Sequence, residues 1–266
     1  MYETNYHRAS SVDDAVALFA KGTEAKFLAG GQTLLPVMKQ RLASPSDVID
    51  LSKLKELIGV EATNAGILIK GATTHYDVAT SAAVQKAIPA LASLASQIGD
   101  PAVRYRGTIG GSLANNDPAA DYPAAVLALN ATIKTNKRTI SADEFFKGLF
   151  STALQDGEII TAVSFPVTEK AGYAKFPNPA SRFALTGVFV ARTAGGDVRV
   201  AAVGASQNGV MRVGAIEAAL KSNWSAGALD NVKVSADGLL ADIHGSADYR
   251  ANLVRVMAQR AVTEAG

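Results

Sequence analysis

Two glycine-rich segments carry the residues best suited to chemistry. The first is Ala29-Gly30-Gly31-Gln32-Thr33-Leu34-Leu35-Pro36. The second covers residues 107–121 and contains Thr108-Ile109-Gly110-Gly111-Ser112, followed by Asn115, Asp117 and Asp121. Glycine lets the main chain approach an anion closely and tolerates positive φ. Successive backbone N–H groups then make an anion-binding concavity, reinforced by a helix N-terminus behind it. Two such segments could clasp the two phosphates of one pyrophosphate, with Thr33, Thr108, Ser112 and Asn115 as side-chain donors. Each Gly-Gly pair alone also suits an ordinary tight turn; polar donors beside both pairs favour the anion reading. Neither segment has the lysine of a P-loop, and neither is a Gly-x-Gly-x-x-Gly opening a dinucleotide fold.

Other chemistries lack their residues. The chain has 266 residues and no cysteine, so it holds no thiolate ligand for zinc or an iron–sulfur cluster and no cysteine nucleophile. Its histidines, His7, His75 and His244, are scattered. No histidine–carboxylate pair or metal cluster reads as a hydroxylation centre. Lys+Arg 26 against Asp+Glu 24 leaves a net charge of +2 with no basic stripe, which argues against nucleic acid as a partner. With 48% hydrophobic and 19% charged residues the chain is not disordered. The polar start and the lack of a long apolar run predict neither a secretory signal nor a membrane span, hence an intracellular protein.

Several elements must position the two segments. Ser10 and Ser11 precede a helix over residues 12–19, with Val12, Val16 and Phe19 on one face. Residues 26–29 read as a strand entering the first segment. Residues 34–41 read as a helix leaving it, with Pro36 in the first turn, where the missing N–H costs nothing. Residues 48–51 and 67–69 read as strands. A helix over 89–98 stops at Gly99-Asp100-Pro101. The second segment reads as a loop, and a helix over 122–129 follows it. Residues 159–165 read as a strand closed by Pro166. Residues 185–192 and 198–204 alternate and are joined by Ala194-Gly195-Gly196-Asp197, a hairpin signal. An amphipathic helix over 249–263 closes the chain. Length predicts about two domains, and the boundary falls within residues 167–172.

These motifs make the chain similar to the FAD-binding (medium) subunits of molybdenum hydroxylases, that of aerobic carbon monoxide dehydrogenase among them. The same flavin module sits inside xanthine dehydrogenase. The resemblance runs from Tyr6-His7-Arg8-Ala9-Ser10 through both glycine segments, Gly71-Ala72-Thr73-Thr74-His75 and Gly157-Glu158-Ile159-Ile160. It continues to Tyr173-Ala174-Lys175-Phe176 and Gly245-Ser246-Ala247-Asp248-Tyr249-Arg250. It implies an α+β chain: a two-lobed FAD-binding (PCMH-type) domain over 1–171, with lobes of about 1–55 and 56–171, then a small antiparallel sheet plus helices over 172–266. It also implies non-covalent FAD. Ala29, Gly30, Gly31, Gln32, Thr33 and Leu34 would form the first pyrophosphate loop, and Thr108, Gly110, Gly111 and Ser112 the second. Asn115 would lie near the phosphates or ribityl chain, and Asp121 would meet a ribityl or ribose hydroxyl. Ile98 and Gly99 would line the cofactor with main chain, Ile160 would pack on the isoalloxazine, and Lys175 would reach the flavin ring region. No catalytic or metal-ligating residue is implied.

Plainer readings stand beside these. Asp121 could cap the helix that follows it. Ile160 could be strand core, and Lys175 a solvated charge. Asp117, before Pro118, reads as a turn residue. Arg104 and Arg106 could attract phosphate or form surface salt bridges. His75 lies in no motif for covalent flavin attachment. Trp224 reads as a partly buried core residue, with an interface anchor as the alternative. Tyr173, Phe176 and Pro177-Asn178-Pro179 could shape access to the flavin. A bulky residue at Gly110 or Gly111 is expected to abolish FAD retention without unfolding the domain.

The resemblance further implies a large subunit with the molybdenum cofactor and a small subunit with [2Fe-2S] clusters, in a dimer of heterotrimers. Electrons would leave the flavin for a quinone, NAD or dioxygen. The setting would be cytoplasmic, or peripheral at the inner face of the membrane through the complex. The alternative is a stand-alone flavin oxidase with its own substrate, which would need extra chain for a lid and a base at the flavin. A further alternative is a binding module that has lost the cofactor, against which both glycine segments are intact.

Overall fold

The computed structural model describes all 266 residues. Ser11 caps the helix Val12–Phe19, its Oγ accepting from the Asp14 N–H at 3.0 Å. That helix and the helix Leu34–Lys39 connect three parallel strands, Asn5–Arg8, Asp47–Asp50 and Lys26–Leu28, in that spatial order. The core of this lobe is small, with Ala15, Ile49 and Leu51 at its centre, and it incorporates Ala72 and Ile159 from the next lobe. The two lobes therefore share this hydrophobic core.

The second lobe is a five-stranded antiparallel sheet, ordered Val60–Thr63, Gly66–Lys70, Ile160–Pro166, Thr132–Thr135, Thr139–Ser141. Helices pack on it, among them Pro89–Ser96, Ile109–Asn115 and Tyr122–Ala128. The short helices His75–Thr80 and Ala82–Ala87 begin at side-chain caps from Thr74 and Ser81. Their six-residue lengths give no hydrophobic periodicity to read.

The sequence-based expectation needs correction at the second glycine segment. It is not a loop throughout. Residues Ile109–Asn115 form a helix whose first turn contains both glycines, and Thr108 is its N-cap.

Beyond residue 169 lies a four-stranded antiparallel sheet, Lys170–Pro177, Ala184–Arg192, Val198–Ser206 and Gly209–Arg212. The hairpin across residues 193–197 forms as the sequence predicts, closed by the Gly196 N–H on the Thr193 carbonyl at 2.9 Å. The half-exposed alternation expected of its strands does not appear, because both faces are buried. Tyr173, Phe189, Ala201 and Val203 join the core shared with the helix Tyr122–Ala128. Val188, Val190, Val200 and Ala202 pack under the helix Ala247–Ala265 through Val254, Met257, Ala258 and Ala261. Apolar residues at both parities thus each find a covering layer. Trp224 is half-buried against this second core, with the Arg192 guanidinium 5.3 Å from its ring centroid. No helix is long and apolar enough to cross a membrane.

The long helix approaches the sheet most closely at Gly172, where a Cβ would overlap the Ala261 carbonyl. Gly172→Ala is expected to cost about 1–3 kcal/mol of stability through this overpacking. Urea unfolding would measure it, and an unchanged midpoint would refute the close approach.

Candidate functional site

A cavity of about 790 Å³ opens between the first lobe and the second. It falls in the range of roughly 300–1,000 Å³ typical of small-molecule and cofactor sites. The first glycine segment forms one wall. Gly31 has φ +75, which turns the chain at the strand end. None of the backbone N–H groups of residues 29–34 donates a hydrogen bond within the chain. Such a run of unpartnered donors, where a strand end passes into a helix N-terminus, leaves main-chain N–H groups free for an anion. Gly30 permits it by contact: a Cβ there would overlap the Arg106 carbonyl, so the two glycine segments touch backbone to backbone.

The second segment behaves differently. Its N–H groups are already paired. Ile109 donates to the Thr73 carbonyl at 3.1 Å, Gly110 to Gly71 at 2.8 Å and Ser112 to Thr108 at 3.0 Å. Gly111 donates to Thr108 Oγ1 at 3.1 Å. This helix lines the cavity with Gly110, Gly111, Ser112, Ala114 and Asn115, of which Ser112 and Asn115 carry polar side chains. The two segments therefore divide the work, main-chain donors from one and side-chain donors from the other. Lys26 and Arg182 are the only Lys and Arg residues of the cavity wall.

Asp121 lies at the cavity wall and is 4% exposed. It makes no capping hydrogen bond to the helix that follows. Its Oδ1 instead accepts from the Tyr173 hydroxyl, and Lys175 Nζ lies 3.0 Å from Oδ1 and 3.1 Å from Oδ2. The same ammonium donates to the Gln97 carbonyl at 3.1 Å. Burial pushes the Asp121 carboxyl up, and Lys175 and Tyr173 pull it back. Tyr173 is itself pushed well above its ordinary value, by burial and then by Asp121. Glu158 is a second buried acid on the wall. Burial would raise it, but Arg138, Thr135 and the Gln155 N–H hold it down at about 2. His75 is 5% exposed, and burial, with Arg104 adding, lowers it to about 4.

Residues 2–168 match the family described as the FAD binding domain in molybdopterin dehydrogenase. The chain belongs to that family. The nicotine 6-hydroxylase medium subunit of Paenarthrobacter nicotinovorans is 36% identical over 274 residues, covering 98% of this chain and 96% of that one. The carbon monoxide dehydrogenase medium chain of Hydrogenophaga pseudoflava is 33% identical over 278 residues, again covering 98% and 96%. The crystal structure of the Cu,Mo-CO dehydrogenase in its cyanide-inactivated form superposes with a TM-score of 0.90 at 32% identity, over 98% of this chain and 97% of that one.

In this molybdopterin-dehydrogenase FAD domain the cavity gathers nearly all the expected residues: Ala29, Gly30, Gly31, Gln32, Thr33, Leu34, Ile98, Gly99, Thr108, Gly110, Gly111, Ser112, Asn115, Asp121 and Ile160. Lys175 is the exception. It is neither solvated nor on the wall; its side chain, 2% exposed, sits behind Asp121. Arg104 takes neither expected role: it donates to the Ile98 and Gly99 carbonyls at 2.9 and 3.2 Å and so shapes that stretch of wall. Asp117 is the turn residue it resembles, accepting from the Ala119 N–H at 2.8 Å, and it also lines the cavity. Tyr173 does not shape access, because it is 1% exposed and faces Asp121. That place belongs to residues 180–183, including Arg182 with φ 63 and the half-exposed Phe183. Nothing in the local sequence marked them, since only the pairing of their flanking strands carries them to the cavity. His75 and Glu158 also line the cavity, although the resemblance implies no role for them there.

Gly110 and Gly111 part company in this family member. A Cβ on Gly110 would lie 2.6 Å from the Gly71 carbonyl oxygen, so Gly110→Val is expected to destabilise the fold. A Cβ on Gly111 would meet only Thr108 Oγ1, at 3.0 Å, so Gly111→Val should fold and lose FAD. Urea unfolding and flavin stoichiometry of the two variants would show it; equal behaviour would refute the distinction.

The buried His75 makes stability depend on pH. Its folded value of about 4 lies below its ordinary 6.5, so the unfolded chain takes up its proton first as pH falls. Stability from this group is complete above 6.5 and declines toward about 4. Between about pH 7.5 and about pH 5 the apo chain should lose about 2 kcal/mol that a His75→Phe variant does not lose. Urea titrations at both pH values measure the difference, and parallel curves would refute it.

Proposed function

We propose that this chain is the flavoprotein subunit of a molybdenum hydroxylase, holding FAD non-covalently and passing electrons from partner iron–sulfur clusters to an external acceptor. The observation that carries the reading is the set of unpartnered N–H groups over residues 29–34, in a cavity that the helix Ile109–Asn115 also lines. A pyrophosphate is the group that such donors suit, being an anion with several acceptor oxygens. The residues present fit FAD in three ways. The cradle offers main-chain donors, a Cβ at Gly111 would fill the space before it, and Asp121 offers a buried acceptor for a hydroxyl.

In this reading residues 29–34 hold the phosphates, with Ser112 and Asn115 adding side-chain donors. Asp121 orients a ribityl or ribose hydroxyl, and Ile160 packs against the ring system. Ile98 and Gly99 line the cofactor with main chain. Lys175 acts on the flavin through Asp121. Flavin, when bound, supplies the ability to take single electrons and release them in pairs; the protein binds, orients and tunes it. The FAD-binding domain covers residues 1–171 in lobes of about 1–55 and 56–171, and a C-terminal domain covers 172–266.

The lack of cysteine requires the iron–sulfur relay to be another chain. We assign that relay to a small subunit and the molybdenum cofactor to a large one, assembled as a dimer of heterotrimers. The acceptor is a quinone, NAD or dioxygen, and the complex is cytoplasmic or peripheral at the inner face of the membrane. The relatives' names, nicotine 6-hydroxylase medium subunit and carbon monoxide dehydrogenase medium chain, support a role as one part of a larger enzyme.

The purified chain, incubated with FAD and gel-filtered, is expected to keep about one flavin per chain, absorbing near ~450 nm. Co-expression with a large and a cysteine-rich small subunit should yield a single assembly. A colourless protein both alone and in that assembly would overturn the reading.

A further inference from the structure

His75 lines the cofactor cavity, yet neither of its ring nitrogens has a hydrogen-bond partner in the chain. Nδ1 is fully enclosed and unpartnered, whereas Nε2 is not enclosed. A histidine kept only for packing would be cheaper as an apolar ring, because an enclosed polar atom without a partner costs about 1–3 kcal/mol. Gly107 sharpens the point. A Cβ there would lie 2.6 Å from Nε2 and 2.8 Å from Cδ2, so only glycine keeps a side chain out of the space beside that edge of the imidazole. The backbone fixes the approach as well, with the His75 N–H donating to the Gly107 carbonyl at 2.9 Å. The ring is held from behind by Tyr122, 5.4 Å between centroids.

We propose that His75 is a direct cofactor contact, presenting Nε2–H to an acceptor oxygen in the pyrophosphate–ribityl stretch of FAD. The proposal rests on the FAD reading above and adds a residue to it. A neutral imidazole has one donor and one acceptor nitrogen. Placing the hydrogen on Nε2 puts the donor where a partner can reach it and leaves only a lone pair enclosed at Nδ1. In the chain alone, burial of the ring, with Arg104 adding, keeps the imidazole uncharged near neutral pH. A neutral donor suits this cavity, whose first wall already offers neutral main-chain N–H groups. Gly107 and His75 then act as a pair, one supplying the donor and the other the room for it.

The test uses the full chain and FAD itself. His75→Phe keeps the ring and removes the enclosed nitrogen, so its urea midpoint near about pH 7.5 should be unchanged or higher. Its dissociation constant for FAD, by quenching of flavin fluorescence, should rise about tenfold, which corresponds to about 1.4 kcal/mol. His75→Gln, which restores a donor, should recover part of the affinity. Gly107→Ala should weaken FAD as His75→Phe does. In wild type, the Nε2 resonance of His75 should move on adding FAD in ¹⁵N NMR. Wild-type affinity in both His75→Phe and Gly107→Ala, or an unmoved Nε2 resonance, would overturn the proposal and leave His75 a packing residue. Failure of the wild-type chain and its assembly to bind FAD would overturn the FAD reading itself.

Discussion

The Arg106 carbonyl occupies the space that a side chain at residue 30 would need, and much of the site's geometry follows from that contact. It brings the backbone of one lobe against the backbone of the other. Such an approach is open only to glycine on one side. With the first segment pressed there, its residues line the cavity and its N–H groups have no partner in a strand or a helix turn. The shared core of Ala72, Ile159 and the first-lobe residues holds the lobes in this position.

A second dependence runs from the C-terminal sheet. Asp121 belongs to the second lobe, but Tyr173 and Lys175, on the strand Lys170–Pro177, supply its partners. An isolated buried carboxylate would be very costly, and an ammonium plus a hydroxyl make it tolerable. Gly187 leaves room for this arrangement, since a Cβ there would lie 2.5 Å from the Tyr173 hydroxyl oxygen. Because the sheet is buried on both faces, the long C-terminal helix braces the strand that carries these residues. The far end of the chain therefore helps to set the cofactor wall although it contributes little surface to it.

The chemistry that the chain can perform is narrow. It has no cysteine for a cluster. Its buried acids are used internally, Asp121 with Lys175 and Tyr173, and Glu158 with Arg138 and Thr135. What remains at the cavity are main-chain and side-chain donors, apolar surface and two cations, Lys26 and Arg182. That is the equipment of a cofactor holder, consistent with a family whose relatives are named as medium subunits.

The sequence by itself determined the parts whose forces act within a few residues. The Ser11 cap, the strand–Gly-Gly–helix passage over residues 26–39 and the hairpin across 193–197 all form as read. Each rests on local hydrogen bonds and on the steric freedom of glycine. Tertiary structure decided the rest. Two glycines disfavour a helix by propensity, yet the second segment forms one, because Gly110 packs on the Gly71 backbone and Thr73 and Gly71 accept its N–H groups. Asp121 could have been a helix cap on local grounds; partners 52 and 54 residues away made it a buried anchor instead. His75 and residues 180–183 reach the cavity only through packing and strand pairing between distant parts of the chain. Local spacing encodes a turn or a cap, but which buried polar groups meet is settled only when separate elements close over them.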